Sequence, residues 1–301
     1  MVVDQAEKLR DIVKQKNLVE NAVPPDLTAR VITVTSGKGG VGKSNITLNL
    51  AIAFLQQQKR VVILDADFGL ANIEVLFGIV PKYNLGHVIN GEKSIDEIIT
   101  DGPLGVKLVS GGSGIRELAN IDERKMSIVI EKLAYLDTIS DIILIDTGAG
   151  ISNSVVNFIK ASDETLIITT PEPTSLTDSY AIVKTVHGSE GKSPKFKVIV
   201  NRAESEIEAE EVYGKISKVS KYFLDIELES LGYVPYDANV LKAVKKQEPV
   251  FICFPETEAT KFIERISQKL LNIEQVKETE SSGIKNFMKR LAGLFSNKQP
   301  G

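Results

Sequence analysis

Val31-Ile32-Thr33-Val34-Thr35-Ser36-Gly37-Lys38-Gly39-Gly40-Val41-Gly42-Lys43-Ser44-Asn45 joins a β-branched run to a glycine-rich turn and then to a helical pattern. Gly37, Gly42, Lys43 and Ser44 satisfy the G-x-x-x-x-G-K-[ST] phosphate-loop pattern in the context it requires, after a strand and at the start of a helix. Glycines at 37, 39, 40 and 42 let the backbone turn tightly and aim its N–H groups at phosphate oxygens, and the helix N-terminus adds a favourable field. Lys43 reaches the β and γ phosphates, and the Ser44 hydroxyl holds Mg²⁺. Val41 and Asn45 complete the cradle.

Outward from this loop, short apolar runs alternate with helical stretches. Val61–Leu64, Ile142–Ile145, Thr165–Ile168, Phe196–Val200 and Gly232–Val234 join Val31–Thr35 as strands. Most lack a polar alternate, which suits strands buried on both faces of a parallel sheet. Asn45–Gln57, Asp122–Leu136, Thr177–His187 and Thr257–Leu271 read as helices between them. Such alternation predicts an α/β fold, a single P-loop NTPase domain whose mostly parallel, twisted sheet carries helices on both faces. Polar or proline-containing stretches set it off from its ends. The expected division is a helical segment 1–16, a linker 17–28, the nucleotide domain 29–273, a linker 274–283 and a short helix 284–297.

Composition excludes several classes. Of 301 residues, 43% are hydrophobic and 25% charged, so the chain can build a sizeable core. Cys253 is the sole cysteine, which rules out a disulfide framework, a four-cysteine zinc site or a CxxC redox centre and fits a reducing compartment. A net charge of −4 argues against a surface coated with basic residues for nucleic acid, so no specific nucleic acid is expected as a partner. With no run of about 18 apolar residues and no apolar leader, the chain is expected in the cytoplasm.

Carboxylates close two further strands. Leu64-Asp65-Ala66-Asp67-Phe68-Gly69 places Asp65 and Asp67, and Ile145-Asp146-Thr147-Gly148-Ala149-Gly150 places Asp146, at the sheet edge where α/β folds bind ligands. A carboxylate there orients the attacking water or the waters of Mg²⁺. Asp65 reads equally well as support for that site or as a loop cap.

The segment Lys38-Gly39-Gly40-Val41-Gly42-Lys43-Ser44 resembles the deviant-Walker ATPases of the MinD/ParA group. The resemblance implies ATP/ADP as ligand, Mg²⁺ as cofactor and an ATP-dependent homodimer in which Lys38 reaches the partner's nucleotide. It makes Lys38, Lys43 and Asp67 catalytic. It gives Ser44, Asp67 and Asp146 to the metal, and Asn201, Arg202 and Pro235 to the adenine. Three stretches narrow it to the FlhG (YlxH, FleN) family of flagellar number regulators: Asp65–Asn72, Thr170–Tyr180 and Asp4-Gln5-Ala6-Glu7-Lys8-Leu9-Arg10. That family implies a GTPase partner, FlhF, met by Gln5, Leu9 and Arg10, with flagellar C-ring proteins or a flagellar transcription regulator as further partners. A cell-division site regulator of the MinD type and an ATP-dependent metabolic enzyme of the same fold are the alternatives.

At the C-terminus Ile284, Phe287, Met288, Leu291, Leu294 and Phe295 share an arc of roughly 120° at 3.6 residues per turn, with Lys285, Lys289 and Arg290 outside it. This layout suits an interfacial helix on an anionic membrane, reversibly attached to the inner face. The alternative is a helix docked on the protein's own core, and both hold if docking goes with ADP and release with ATP. At the other end Asp4 can cap a helix with Glu7 three residues on, but its stripe Val2, Ala6, Leu9 and Val13 is too narrow to hold that helix alone in water.

Overall fold

The computed structural model describes residues 28–67, 72–118, 121–188, 193–272 and 283–296. Its strands are β1 (Arg30–Thr35), β2 (Val61–Ala66), β3 (Ile99–Asp101), β4 (Lys107–Ser110), β5 (Ile142–Thr147), β6 (Glu164–Thr169), β7 (Lys195–Ala203) and β8 (Glu229–Pro235). They form one sheet in the order β3-β4-β2-β5-β1-β6-β7-β8. Every neighbouring pair is parallel except β3 with β4. The central strands β1, β2 and β5 are buried at every residue, as their unbroken apolar runs predict.

Alternate residues of these strands supply two cores. Ile32, Val34, Ile63 and Leu144 face the helix Lys43–Gln56 and the helix Glu258–Asn272, meeting Ile46, Leu50, Phe54, Ile263 and Ile266. On the opposite face Val31, Val62, Leu64, Ile143 and Ile145 meet the helices Glu123–Leu133, Asn153–Ala161 and Ile284–Ser296. The helices Pro173–His187 and Glu206–Leu224 extend that second layer over β6 and β7.

Several boundaries differ from the sequence reading for local reasons. The expected helix Asp122–Leu136 is two: Asp122 caps the first, accepting the Lys125 N–H at 2.8 Å, and Tyr135–Ile139 follows as a separate turn. Pro173 begins the next long helix four residues before Thr177, where proline's missing N–H is harmless. Cys253 is half-buried. The residues 1–27, 273–282 and 297–301 lie outside the described ones, and with them the expected N-terminal helix, most of both linkers and the last residue of the expected C-terminal helix.

At the edge of the sheet opposite the phosphate loop, the Arg30 guanidinium grips the Glu164 carboxylate with two bonds of 2.6 Å, and Lys197 donates to the same carboxylate. Arg30 also donates to the Leu270 carbonyl, so the network ties β1, β6 and β7 to the helix Glu258–Asn272. Burial works against the Glu164 charge, but the two cations hold its pKa below the ordinary glutamate value. Glu164→Ala leaves the buried Arg30 without its counter-charge and Lys197 with only the longer contact to Glu229 at 3.8 Å, a loss of about 3–5 kcal/mol. Urea unfolding should show that loss as a lowered midpoint with little change in slope.

Candidate active site

β1 ends at Thr35, and the chain turns through residues 36–42 before the helix Lys43–Gln56 begins. Gly42 adopts φ 92°, and a β-carbon there would lie 2.5 Å from the Asn201 amide nitrogen. Glycine is therefore required both by the backbone and by the residue packed against it. That amide nitrogen donates to the Val41 carbonyl at 2.7 Å, so β7 braces the loop from the side. Arg202, exposed and at φ 61°, follows directly, and Pro235 ends the adjoining β8 opposite Ala203. The three residues assigned to the adenine are thus brought to one edge of the loop.

Asp146 is fully buried at the end of β5 and collects the loop's polar groups. Its Oδ2 lies 2.8 Å from the Lys43 ammonium and accepts the Ser44 hydroxyl at 2.7 Å, while its Oδ1 accepts the Thr47 hydroxyl at 2.7 Å. Thr47 was not singled out from the sequence. Its signal is positional: four residues after Lys43 it occupies the same helix face, turned toward β5.

Asp65 stands beside Asp146 in the β2–β5 register. Its Oδ1 accepts the Asp67 N–H at 3.0 Å, which sets the turn presenting Asp67, and its Oδ2 is buried without a hydrogen-bond partner. Burial first, and the nearby Asp146 charge second, push the Asp65 carboxyl up to about 7. Asp67 itself is half-buried and sits next to Gly148 of the loop that follows Asp146. The Gly150 N–H bonds the Ser36 carbonyl at 2.8 Å, so this loop and the phosphate loop touch directly.

These residues fit Mg²⁺ and a polyphosphate. Asp146 already attracts a cation and two hydroxyls, and Asp65 offers a buried acceptor with nothing bound to it. Ser44, Asp67 and Asp146 are the groups that would hold a hydrated Mg²⁺, and Lys43 with the backbone N–H groups of residues 37–44 would hold phosphate oxygens. Bound there, the cation would supply charge neutralisation to the phosphates, and Asp67, half-buried beside Gly148, would be the carboxylate available to orient water.

Lys38 does not point to empty solvent. Its ammonium lies 2.6 Å from Glu172 and 3.1 Å from the Thr174 hydroxyl, a partly exposed pair made within one chain. Gly37 abuts the backbone of Asp178 on the same helix. The stretch Thr170–Tyr180, noticed in the sequence only as a family likeness, therefore forms the side wall of the phosphate loop. Glu172, Thr174 and Asp178 belong to no phosphate-binding pattern, and the family likeness of their stretch is the one sequence signal that marks them.

The terminal assignments fare differently. Ile284, Phe287, Met288 and Leu291 are buried against the core, and Leu294 and Phe295 are partly buried beside them, so the structure shows the docked form of the C-terminal helix. Gln5, Leu9 and Arg10 lie outside the described residues.

A sign can be fixed for Asp65. A carboxyl whose folded pKa is raised above its unfolded value subtracts stability as pH rises from about 4 to about 7, and the deficit persists above that. Asp65→Asn keeps the acceptor for Asp67 and removes the like-charge pair. In the nucleotide-free protein it should raise the unfolding free energy by on the order of 1–3 kcal/mol at pH 8, with the gain shrinking toward pH 4. Thermal melts across that range check both the direction and the window.

Residues 28–271 match the ParA family model described as NUBPL iron-transfer P-loop NTPase. The antiactivator FleN of Pseudomonas aeruginosa is 39% identical over 80% of this chain and 86% of its own. The flagellum site-determining protein YlxH of Helicobacter pylori is 32% identical over 96% of this chain and 98% of its own. The septum site-determining protein MinD of Pyrococcus horikoshii, solved with Mg-ADP, superposes with a TM-score of 0.63 at 23% identity, covering 83% of this chain and 99% of that one. Iron transfer belongs to the description of the family model; a chain with one cysteine has too few thiolates for a cluster. The chain belongs to the MinD/ParA-type P-loop ATPases, in the FlhG group with FleN and YlxH, and it is an ATP hydrolase.

Proposed function

We propose that the protein is an ATP-driven switch that sets flagellar number or placement, dimerising with ATP and carrying that state to the membrane. One observation carries the reading: the C-terminal helix is docked on the helix Asn153–Ala161, which directly follows the loop after β5, the strand that carries Asp146. Phe287 meets Phe158 of that helix with ring centroids 6.0 Å apart. Arg290 grips Asp163, between that helix and β6, with bonds of 2.8 and 3.1 Å. A shift of the Asp146–Gly150 loop on ATP binding moves the first partner of the docked helix.

The docked and lipid-bound forms use the same groups. Ile284, Phe287, Met288 and Leu291 are fully buried, and each contributes about 1.5–3 kcal/mol when removed from water, in the core or below lipid headgroups alike. Lys285 pairs with Glu131 and Arg290 with Asp163, so anionic headgroups compete for charges already neutralised in the docked form. One helix of this size binds lipid marginally; a dimer presents two, and the second contact is intramolecular.

Lys38 has an analogous choice, between Glu172 of its own chain and a partner's nucleotide. In this reading Asp67 governs hydrolysis and hence the lifetime of the dimer. Asp67→Ala should bind ATP, remain dimeric and sediment with anionic vesicles, while the ADP-bound protein stays in the supernatant. Equal sedimentation of the two nucleotide forms would contradict the coupling, and a monomeric Asp67→Ala with ATP would contradict the division between binding and hydrolysis.

The N-terminal segment is proposed to act on FlhF, with Gln5 orienting water, Arg10 offsetting phosphate charge and Leu9 supplying the apolar contact. A peptide of residues 1–16 should raise GTP hydrolysis by FlhF several-fold, and Gln5→Ala or Arg10→Ala should weaken it. An inert peptide beside a stimulating intact protein would place the activating surface on the ATPase domain.

A further inference from the structure

The residues just before β1 and the start of the C-terminal helix meet at one point, and a single carboxylate holds both. Asp137, on the short helix Tyr135–Ile139, accepts the Ala29 N–H at 3.2 Å and the Ile284 N–H at 2.9 Å through the same Oδ1. Its Oδ2 accepts the Lys285 N–H at 3.4 Å. Ala29 is the residue immediately before β1, where the chain arrives from the N-terminal segment. Ile284 and Lys285 open the C-terminal helix, whose first intrahelical bond runs from the Phe287 N–H to the Gly283 carbonyl at 3.0 Å. The first N–H groups of a helix have no partner within it, so Asp137 acts as a cap supplied from elsewhere in the chain and meets the positive end of the helix field.

The junction is tightly built. Gly283 has φ +95°, and a β-carbon there would lie 2.9 and 3.1 Å from the two carboxylate oxygens of Asp137 and 3.1 Å from the Thr28 β-carbon. Only glycine lets the segments 28–29 and 283–285 converge on one side chain. Burial raises the Asp137 pKa above the ordinary aspartate value even though three backbone N–H groups favour its charge.

We propose that Asp137 is a clasp joining the two extensions, so that release of the C-terminal helix also loosens the root of the N-terminal segment. When the helix leaves, Asp137 loses two of its three donors and becomes hydrated, and water then competes for the bond to Ala29. The clasp rests on the reading that the C-terminal helix can leave its dock. It adds that the membrane-facing and GTPase-facing ends of the chain change together rather than independently.

The test is residue-resolved amide hydrogen exchange on the full chain with ADP bound. Phe287→Glu displaces the helix from a position one turn beyond the residues that bond Asp137, and Leu291→Glu does so from one turn further on. Both should speed exchange at Ile284 and Lys285, and at Ala29 as well, by roughly ten-fold or more, the loss expected when a bond to a charged acceptor is opened to water. Asp137→Ala should free all three amides, and Asp137→Asn, which keeps an acceptor oxygen, should restore much of the protection. Fast exchange at Ile284 and Lys285 with Ala29 still at the wild-type rate in Phe287→Glu and Leu291→Glu would overturn the clasp. Sedimentation of ADP-bound Asp137→Ala with phosphatidylglycerol vesicles separates the two ideas. Vesicle binding with Ala29 still protected overturns the clasp and leaves the membrane reading intact. Joint loosening of Ala29, Ile284 and Lys285 in Phe287→Glu and Leu291→Glu, with no vesicle binding by Asp137→Ala, supports the clasp and removes the membrane reading.

Discussion

A carboxylate with no exposure to water, shared by an ammonium and two hydroxyls, sits at the centre of this molecule. Asp146 can be charged in the interior because Lys43, Ser44 and Thr47 surround it, and those three residues in turn take their places on the first turns of one helix. The sheet order places β5 between β2 and β1, so the strand ends carrying Asp65, Asp146 and the phosphate loop are adjacent. Any group that competes for Lys43 or Ser44 changes what Asp146 holds, and the loop beyond Asp146 is tied directly to the phosphate loop through Gly150 and Ser36. Burial first, and the Asp146 charge second, disfavour an ionised Asp65, and a bound cation would offset that cost.

From that loop the path to the surface is short. Gly150 touches the phosphate loop through Ser36, and the helix Asn153–Ala161 follows at once and supplies Phe158 to the underside of the C-terminal helix. The dock is completed by charge pairs at Glu131 and Asp163 and by the cap at Asp137. Buried apolar area gives most of the attraction. The polar contacts fix register and direction, and they occupy the same basic side chains that a lipid surface would attract.

Legibility of these features in the sequence followed their physical range. The phosphate loop, β1, β2, β5 and the strand-end aspartates are local patterns whose chemistry demands particular residues in a particular order. They were readable without coordinates. β3 and β4 were not, because a three-residue and a four-residue strand at the sheet edge carry too little periodicity to stand out. The wall formed by Glu172, Thr174 and Asp178, the brace from Asn201 to Val41 and the cap at Asp137 join residues far apart in the chain, and nothing local announces them. The stripe on the C-terminal helix was legible as a stripe, but a stripe of leucine and phenylalanine is equally satisfied by lipid and by core. Only the packing shows that this structure holds the docked form.

The central claim is that nucleotide state governs where the C-terminal helix lies, and a distance reads it most directly. With Cys253→Ser as background, spin labels placed at the exposed positions Lys125 and Lys289 span the dock without entering its apolar face. With ADP the pair should give one short, narrow distance distribution. With ATP in the Asp67→Ala protein it should become long and broad, in the absence of any membrane. The same narrow distribution in both states would mean that the helix is a fixed part of the domain, and the coupling from Asp146 to the surface would not exist.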